Sequence, residues 1–366
     1  MEIMELTKDL SIFKGKKVLV TGDTGFKGAW LCMWLDMLGA DVVGYSLPPD
    51  KKDCFYNILG LEERILHIDG DILDLEHLKE VFRKQNPEFV FHLAAQPLVG
   101  VSYTEPKRTF DVNVIGSVNL LEVVRHNKSV KSVVYVTSDK CYKNKEWLWG
   151  YRENDELGGG DPYSVSKAAA ELIFTAYIDA YFSEDSKIGL ASARTGNVIG
   201  GGDWAEGRII PDCVRALSAK KVIELRKPYA FRPWQHVLDV LYGYLLLSIN
   251  LFHNPKKYSG SWNFGPTNTS ILPVQRLVET FIDNWGNGSY NSENYNENFY
   301  ESNSLSVNSE KAVYQLKWNS KWDFNRTVSE TVNWYKNFEE GKDAYHFTLE
   351  QIQAYMKIHK EREVKP

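Results

Sequence analysis

The chain is predicted to fold as an α/β protein, a doubly wound parallel sheet of Rossmann type followed by a smaller, mixed C-terminal substrate domain. Three observations predict it. Short apolar runs alternate with helix-spaced segments through the first half of the chain. A glycine-rich turn, TGDTGFKG at 21–28, joins the first such run to the first such helix. A YSVSK segment stands at 163–167, at the head of a later helix.

Lys17–Val20 is a short apolar run ending near Gly22 and reads as a buried strand. Residues 26–38 carry Trp30, Leu31, Trp34, Leu35 and Leu38 at helical spacing, and Gly39 stops them. Asp41–Tyr45, Ile65–Ile68, Phe89–Leu93, Val133–Val136 and Ile188–Ala193 read as further strands. Leu75–Gln85, Phe110–His126 and 162–182 read as the helices between them, the last entered through an Asp161 N-cap and Pro162. This alternation predicts a first domain over 1–194. Residues 195–366 lose the rhythm and are expected to form the substrate domain, with some segments returning to the first. Asn284–Asn303 is polar and predicts a surface loop, and Leu349–Lys360 a helix.

Composition narrows the function classes. The 366 residues are 43% hydrophobic and 25% charged, an ordinary globular balance. A net charge of −5 argues against a nucleic-acid binder. The four cysteines, Cys32, Cys54, Cys141 and Cys213, form no CxxC pair, and the histidines show no metal spacing, so no metal site is expected. MEIMELTKDL at the start lacks the apolar run of a signal peptide. Val237–Phe252, the most apolar later stretch, contains Asp239 and is too short to span a bilayer. A cytoplasmic protein with no membrane partner is expected.

Gly22, Gly25 and Gly28 give a GxxGxxG pattern between a strand and a helix. Glycine there permits a tight turn and lets backbone N–H groups approach a pyrophosphate, while the helix N-terminus adds partial positive charge. Three glycines alone are weak evidence, and their context strengthens it. Thr24, Phe26 and Lys27 share the turn. The second strand runs into Tyr45, Ser46 and Leu47 with no acid to hold an adenosine ribose and no Arg to hold a 2′-phosphate. NAD is therefore favoured over NADP, with Ser46 as the hydrogen-bonding group and Lys51 and Lys52 keeping the alternative open. Asp71 and Ile72 after the third strand, and Ala94, Ala95 and Gln96 after the fourth, lie where the cofactor would cross.

Tyr163 and Lys167 stand four apart on one helix face. An ammonium beside a phenol favours the phenolate, which makes a usable base for a hydroxyl proton. A bare YxxxK pair is common, and it gains meaning from the glycine turn far upstream. Ser138, Asp139 and Lys140 follow the fifth strand, on the carboxyl edge of the sheet where ligands bind in such folds.

With these segments together, the chain resembles the nucleotide-sugar 4,6-dehydratases of the extended short-chain dehydrogenase/reductase family, and within them the branch acting on CDP-glucose. The matching segments are VLVTGDTGFKGAWL at 18–31, HLAAQPLV at 92–99, VTSDKCYKN at 136–144, DPYSVSKAAAEL at 161–172, RTGNVIGGGDW at 194–204, RIIPD at 208–212 and FRPWQHVLD at 231–239. The resemblance implies hydride removal from carbon 4 of a glucose unit, loss of water across carbons 5 and 6, and return of the hydride to carbon 6. It implies that Ser138 and Tyr163 meet the 4-hydroxyl, that Lys167 holds the cofactor ribose and that Asp139 protonates the leaving 6-hydroxyl. Most such enzymes carry Thr, Asp and Glu in the triplet that here reads Ser138-Asp139-Lys140. Lys140 is then the carbon 5 base, an anchor for Asp139 or the group that polarises the ketone. Asn197, Arg208, Arg232 and His236 are implied to hold the substrate, the cations facing its diphosphate. A homodimer or homotetramer is implied, with the helices at 104–126 and 162–182 as its contact. A 4-epimerase, a simple reductase or a non-catalytic NAD-sensing protein remains open on the same motifs.

Overall fold

The computed structural model describes residues 10–49, 54–182, 186–292 and 302–362. Lys51 and Lys52 fall outside them, as does part of the Asn284–Asn303 segment. Seven strands form one parallel sheet: β1 Lys17–Thr21, β2 Asp41–Ser46, β3 Leu66–Asp69, β4 Phe89–His92, β5 Ser132–Val136, β6 Gly189–Thr195 and β7 Gly260–Phe264. Their spatial order is β7-β6-β5-β4-β1-β2-β3. The order reverses between β1 and β4, so the chain leaves those two strands in opposite directions and opens a crevice at their carboxyl ends.

Side-chain alternation sorts the strands between two cores. Val18, Val20, Phe89, Phe91 and Val134 face one of them. Leu19, Val43, Val90 and Val133 face the other. Helix α1 (Phe26–Met37) covers the first face; α2 (Leu75–Gln85), α3 (Gly116–His126) and α4 (Pro162–Tyr181) cover the second. The predicted helix from Phe110 runs into α3 through a π-helical turn at Asp111–Ile115. The Asp161 carboxylate caps α4, accepting from Ser164 N at 2.9 Å and from Ser164 Oγ at 2.6 Å.

After β6 the chain builds α5 (Ile209–Ser218) and short strand pairs, among them Phe231–Pro233 against Ile271–Pro273. It then returns to the sheet. Helix α6 (Val237–His253) is apolar almost throughout because it lies in the first core, and β7 adds to the sheet edge beside β6. Helices α7 (Val274–Trp285), α8 (Phe324–Glu339) and α9 (Ala344–Arg362) close the outside, α9 beginning before the predicted Leu349. No helix among the described residues is long and apolar enough to cross a membrane.

Candidate active site

A cavity of about 660 Å³ opens at the carboxyl edge of the sheet. Its floor is the glycine turn. Gly22 has φ +74°, and a Cβ on it would lie 2.7 Å from Ala94 N. A Cβ on Gly28 would lie 2.0 Å from Gly22 O, so α1 packs directly on the turn there. Gly25 differs, since its Cβ would meet only Gly22 O, at 3.3 Å. Gly25 is also the N-cap of α1, with no side-chain cap and no acid in the first turn. A cradle a side chain would fill, backed by uncapped N–H groups, fits a pyrophosphate. Thr24, Phe26, Lys27, Ser46, Asp71, Ile72, Ala94 and Ala95 line the same cavity. The Ser46 hydroxyl lies 2.9 Å from Thr24 Oγ1.

Gln96 corrects the sequence reading. Its amide is turned inward, donating to Thr109 Oγ1 at 2.8 Å and to Leu98 O at 3.1 Å, while its carbonyl oxygen accepts from Leu98 N at 2.6 Å. Those bonds consume the side chain in holding the loop, and it does not line the cavity.

The chemistry-bearing groups come together above the turn. Ser138 opens a 3₁₀ turn at Asp139–Cys141; its Oγ accepts from Lys140 N at 3.2 Å and donates to Asp139 Oδ1 at 3.1 Å. Burial pushes the Asp139 carboxyl above its ordinary range, against the pull of Lys140 and of the Ser138 bond. Burial likewise pushes the Tyr163 phenol up to about 12, opposed by a hydrogen bond with Ser138. It pushes Lys167 down to about 8, opposed by Glu171. The Lys167 ammonium lies 5.9 Å from the Tyr163 ring centroid. Lys140 lines the cavity beside them.

Lys27 crosses from the turn to the same place. Its Nζ donates to Thr195 Oγ1 at 3.0 Å, and burial, then Arg208 and Lys167, push it down to about 7. The sequence placed Lys27 at the cofactor turn, and its reach toward β6 was not readable there.

The far wall carries Asn197, Arg208 and Arg232. Arg208 pairs with Asp203 at 3.0 Å, and buried Arg232 donates to Phe231 O at 2.9 Å. Arg226 and Lys227 join them and were missed. Their signal was a basic pair just past a short apolar run.

His236 is a second correction. It is fully buried outside the cavity, with its ring 4.5 Å from that of Trp322 and 6.2 Å from that of Trp30. Its Nδ1 accepts from Leu238 N at 3.2 Å, capping α6. Burial pushes it down to about 3, so it is neutral and offers no charge to a diphosphate.

Comparison with known proteins follows the same lines. The family model described as GDP-mannose 4,6 dehydratase matches residues 19–331. The CDP-glucose 4,6-dehydratase of Salmonella typhimurium is 42% identical over 355 residues, covering 95% of this chain and 98% of that protein. The human dTDP-D-glucose 4,6-dehydratase is 27% identical, covering 90% and 92%. Among solved structures, dTDP-glucose 4,6-dehydratase from Bacillus anthracis in complex with NAD superposes with a TM-score of 0.73 at 24% identity, covering 90% of this chain and 99% of that one. At that identity the superposition speaks for the fold.

Proposed function

The chain belongs to the GDP-mannose 4,6-dehydratase family, nucleotide-sugar enzymes of the extended short-chain dehydrogenase/reductase type, and on that premise we infer that it is an NAD-dependent hydro-lyase converting CDP-glucose to CDP-4-dehydro-6-deoxyglucose and water. Its product class feeds deoxysugar synthesis for cell-surface polysaccharide. One observation carries the reading beyond the family. A buried Asp139, its carboxyl raised by burial, stands beside the Ser138–Tyr163–Lys167 set, and an epimerase or reductase has no use for such an acid.

Bound NAD would supply the reversible hydride acceptor that the exchange between carbons 4 and 6 requires. The glycine turn with Ser46, Asp71, Ile72, Ala94 and Ala95 would hold it. The residues do the rest. Tyr163, helped by Ser138, takes the proton of the 4-hydroxyl, and Lys167 keeps the phenolate favourable. Asp139 gives its proton to the 6-hydroxyl as water leaves. Lys140, in its neutral amine form, takes the carbon 5 proton, which the adjacent ketone has made acidic, and returns it to carbon 5 as the hydride reaches carbon 6. Asn197, Arg208 and Arg232 meet the diphosphate, guanidinium forks matching its oxygens.

Supporting a self-associated enzyme, Ile115, Val165, Leu172 and Tyr181 are exposed along the helices at 104–126 and 162–182. We read these as the contact between copies. The free thiols of Cys32, Cys141 and Cys213 suit a reducing cytoplasm. Incubation with CDP-glucose, read by mass spectrometry, tests the activity. A product lighter by one water is expected, whereas an isomer of unchanged mass would make the protein an epimerase.

A further inference from the structure

Directly beneath the catalytic turn lies a carboxylate that the reaction above does not use. Glu171 is fully buried on α4, one helical turn beyond Lys167. Its Oε1 accepts from Thr137 Oγ1, the residue before Ser138. Its Oε2 accepts from Arg194 Nη2 at 2.7 Å, from Ser192 Oγ at 2.9 Å and from Ser261 Oγ at 3.3 Å. Arg194 in turn donates through Nη1 to Tyr142 Oη at 2.8 Å and to Glu153 O at 2.9 Å. One carboxylate thus ties the turn after β5 to β6, β7 and α4 below the site.

A buried ion pair is a poor way to gain stability, because apolar side chains of equal volume do as well or better. Its position suggests another use. The Ser138 turn and the Lys167 helix are the two arms of the catalytic set, and Glu171 is the group bonded to the first arm and carried on the second. We infer that Glu171 is a positioning residue of the reaction: it keeps Lys167 an ammonium and fixes the Thr137–Ser138–Asp139 segment against it. The inference rests on the roles given to Ser138, Tyr163 and Lys167 above.

The surroundings of Lys167 support this. Tyr163 and Glu171 face it from α4, Cys141 from the 3₁₀ turn, His92 from β4 and Lys27 from α1. His92 is neutral, pushed down to about 3 by burial, and burial holds Cys141 as a thiol. Burial would raise Glu171 too, but Arg194 and the bonds from Thr137 and Ser192 outweigh it and keep the carboxyl ionised. Glu171 is therefore the ionised anion acting on Lys167 among these groups. Without it, burial acts on the amine unopposed and Lys167 loses its proton at lower pH.

The test is the titration of Lys167, read by NMR of full-length protein carrying carbon-13 at the lysine ε position and assigned with Lys167→Arg. It is compared in wild type, Glu171→Gln, and Glu171→Gln/Arg194→Met, the last removing the stranded guanidinium. In both variants the midpoint is expected to fall by about one pH unit. The ammonium fraction at pH 8, and with it kcat on CDP-glucose, should then fall about fivefold with KM little changed. Thr137→Val, which cuts only the tie to the turn, should lower kcat without moving the midpoint, and it keeps the idea open to refutation should the charge variants not fold. A Lys167 midpoint unchanged in a folded Glu171 variant, a double variant restored to wild-type values, or full activity in Thr137→Val would each overturn the assignment. If wild type yields no dehydrated product, the dehydratase reading fails, and the Lys167 titration still answers for Glu171.

Discussion

The Asp139 carboxylate occupies the space that a side chain at Gly196 would take, because a Cβ there would lie 2.7 Å from Asp139 Oδ2. The missing side chain is what lets an acid fold back under the carboxyl edge of the sheet. Gly196→Ala should displace the acid while leaving the distant glycine turn alone. We expect kcat to fall by about two orders of magnitude, the scale of a misplaced proton donor, with NAD affinity unchanged. Steady-state kinetics beside a cofactor titration would check this.

The proton roles of Asp139 and Lys140 separate by isotope exchange. In Lys140→Met, exchange of the carbon 5 hydrogen with solvent deuterium should stop while hydride transfer from carbon 4 persists. Asp139→Asn should instead retain exchange and lose water elimination by about 10²- to 10⁴-fold. Because burial raises the Asp139 carboxyl and the acid must be protonated to act, elimination should weaken as pH rises through its titration. Retained exchange in Lys140→Met would leave that lysine as an anchor only.

The three turn glycines should divide by role. Gly28→Ala places a Cβ 2.0 Å from Gly22 O and should lower stability measurably in thermal unfolding. Gly25→Ala meets only Gly22 O, at 3.3 Å, and should cost less stability than Gly28→Ala while weakening NAD binding by about tenfold, or about 1.4 kcal/mol. Thermal melts with and without NAD distinguish the two.

His236 and His92 are both held neutral by burial, their values pushed from 6.5 down to about 3. Between those values the unfolded chain binds more protons than the folded one, so stability is full above about pH 6.5 and falls as the solution is acidified. His236→Asn preserves an N-cap acceptor for α6 without titrating. Urea unfolding across pH 6.5 to 4 should show its stability declining less steeply than wild type, by about 1.4 kcal/mol per pH unit.

How much of this was legible follows from what each residue must do locally. β1, β2, β4 and β5 show in the sequence because strands buried on both faces must be apolar runs. β7 does not: GSWNF holds a glycine, a serine and an asparagine, and Asn263 is spent on hydrogen bonds to Tyr151 O and Asn308 O rather than on a pattern. α6 looked like an apolar stretch of unknown use because its burial on all sides erases helical periodicity. The catalytic triplet and the YSVSK helix were readable since their chemistry depends on near neighbours in sequence. His236 and Gln96 misled because a polar residue beside a motif looks functional until its buried partners are known. The resemblance gave Asp139 its acid role, and only the structure shows the burial that raises its carboxyl to suit it.

His236 also sits in a seam with a consequence for truncation of the chain. Trp30 and Trp34 of α1 pack against His236 and against Tyr355 of α9, while Tyr355 Oη donates to Asp239 Oδ1 at 2.7 Å and Ser320 Oγ to Asp239 Oδ2 at 3.0 Å. The outer face of α1 is therefore completed by α9, from the far end of the described residues. A chain lacking α9 would leave Trp34 without its Tyr355 contact and Asp239 without one of its donors.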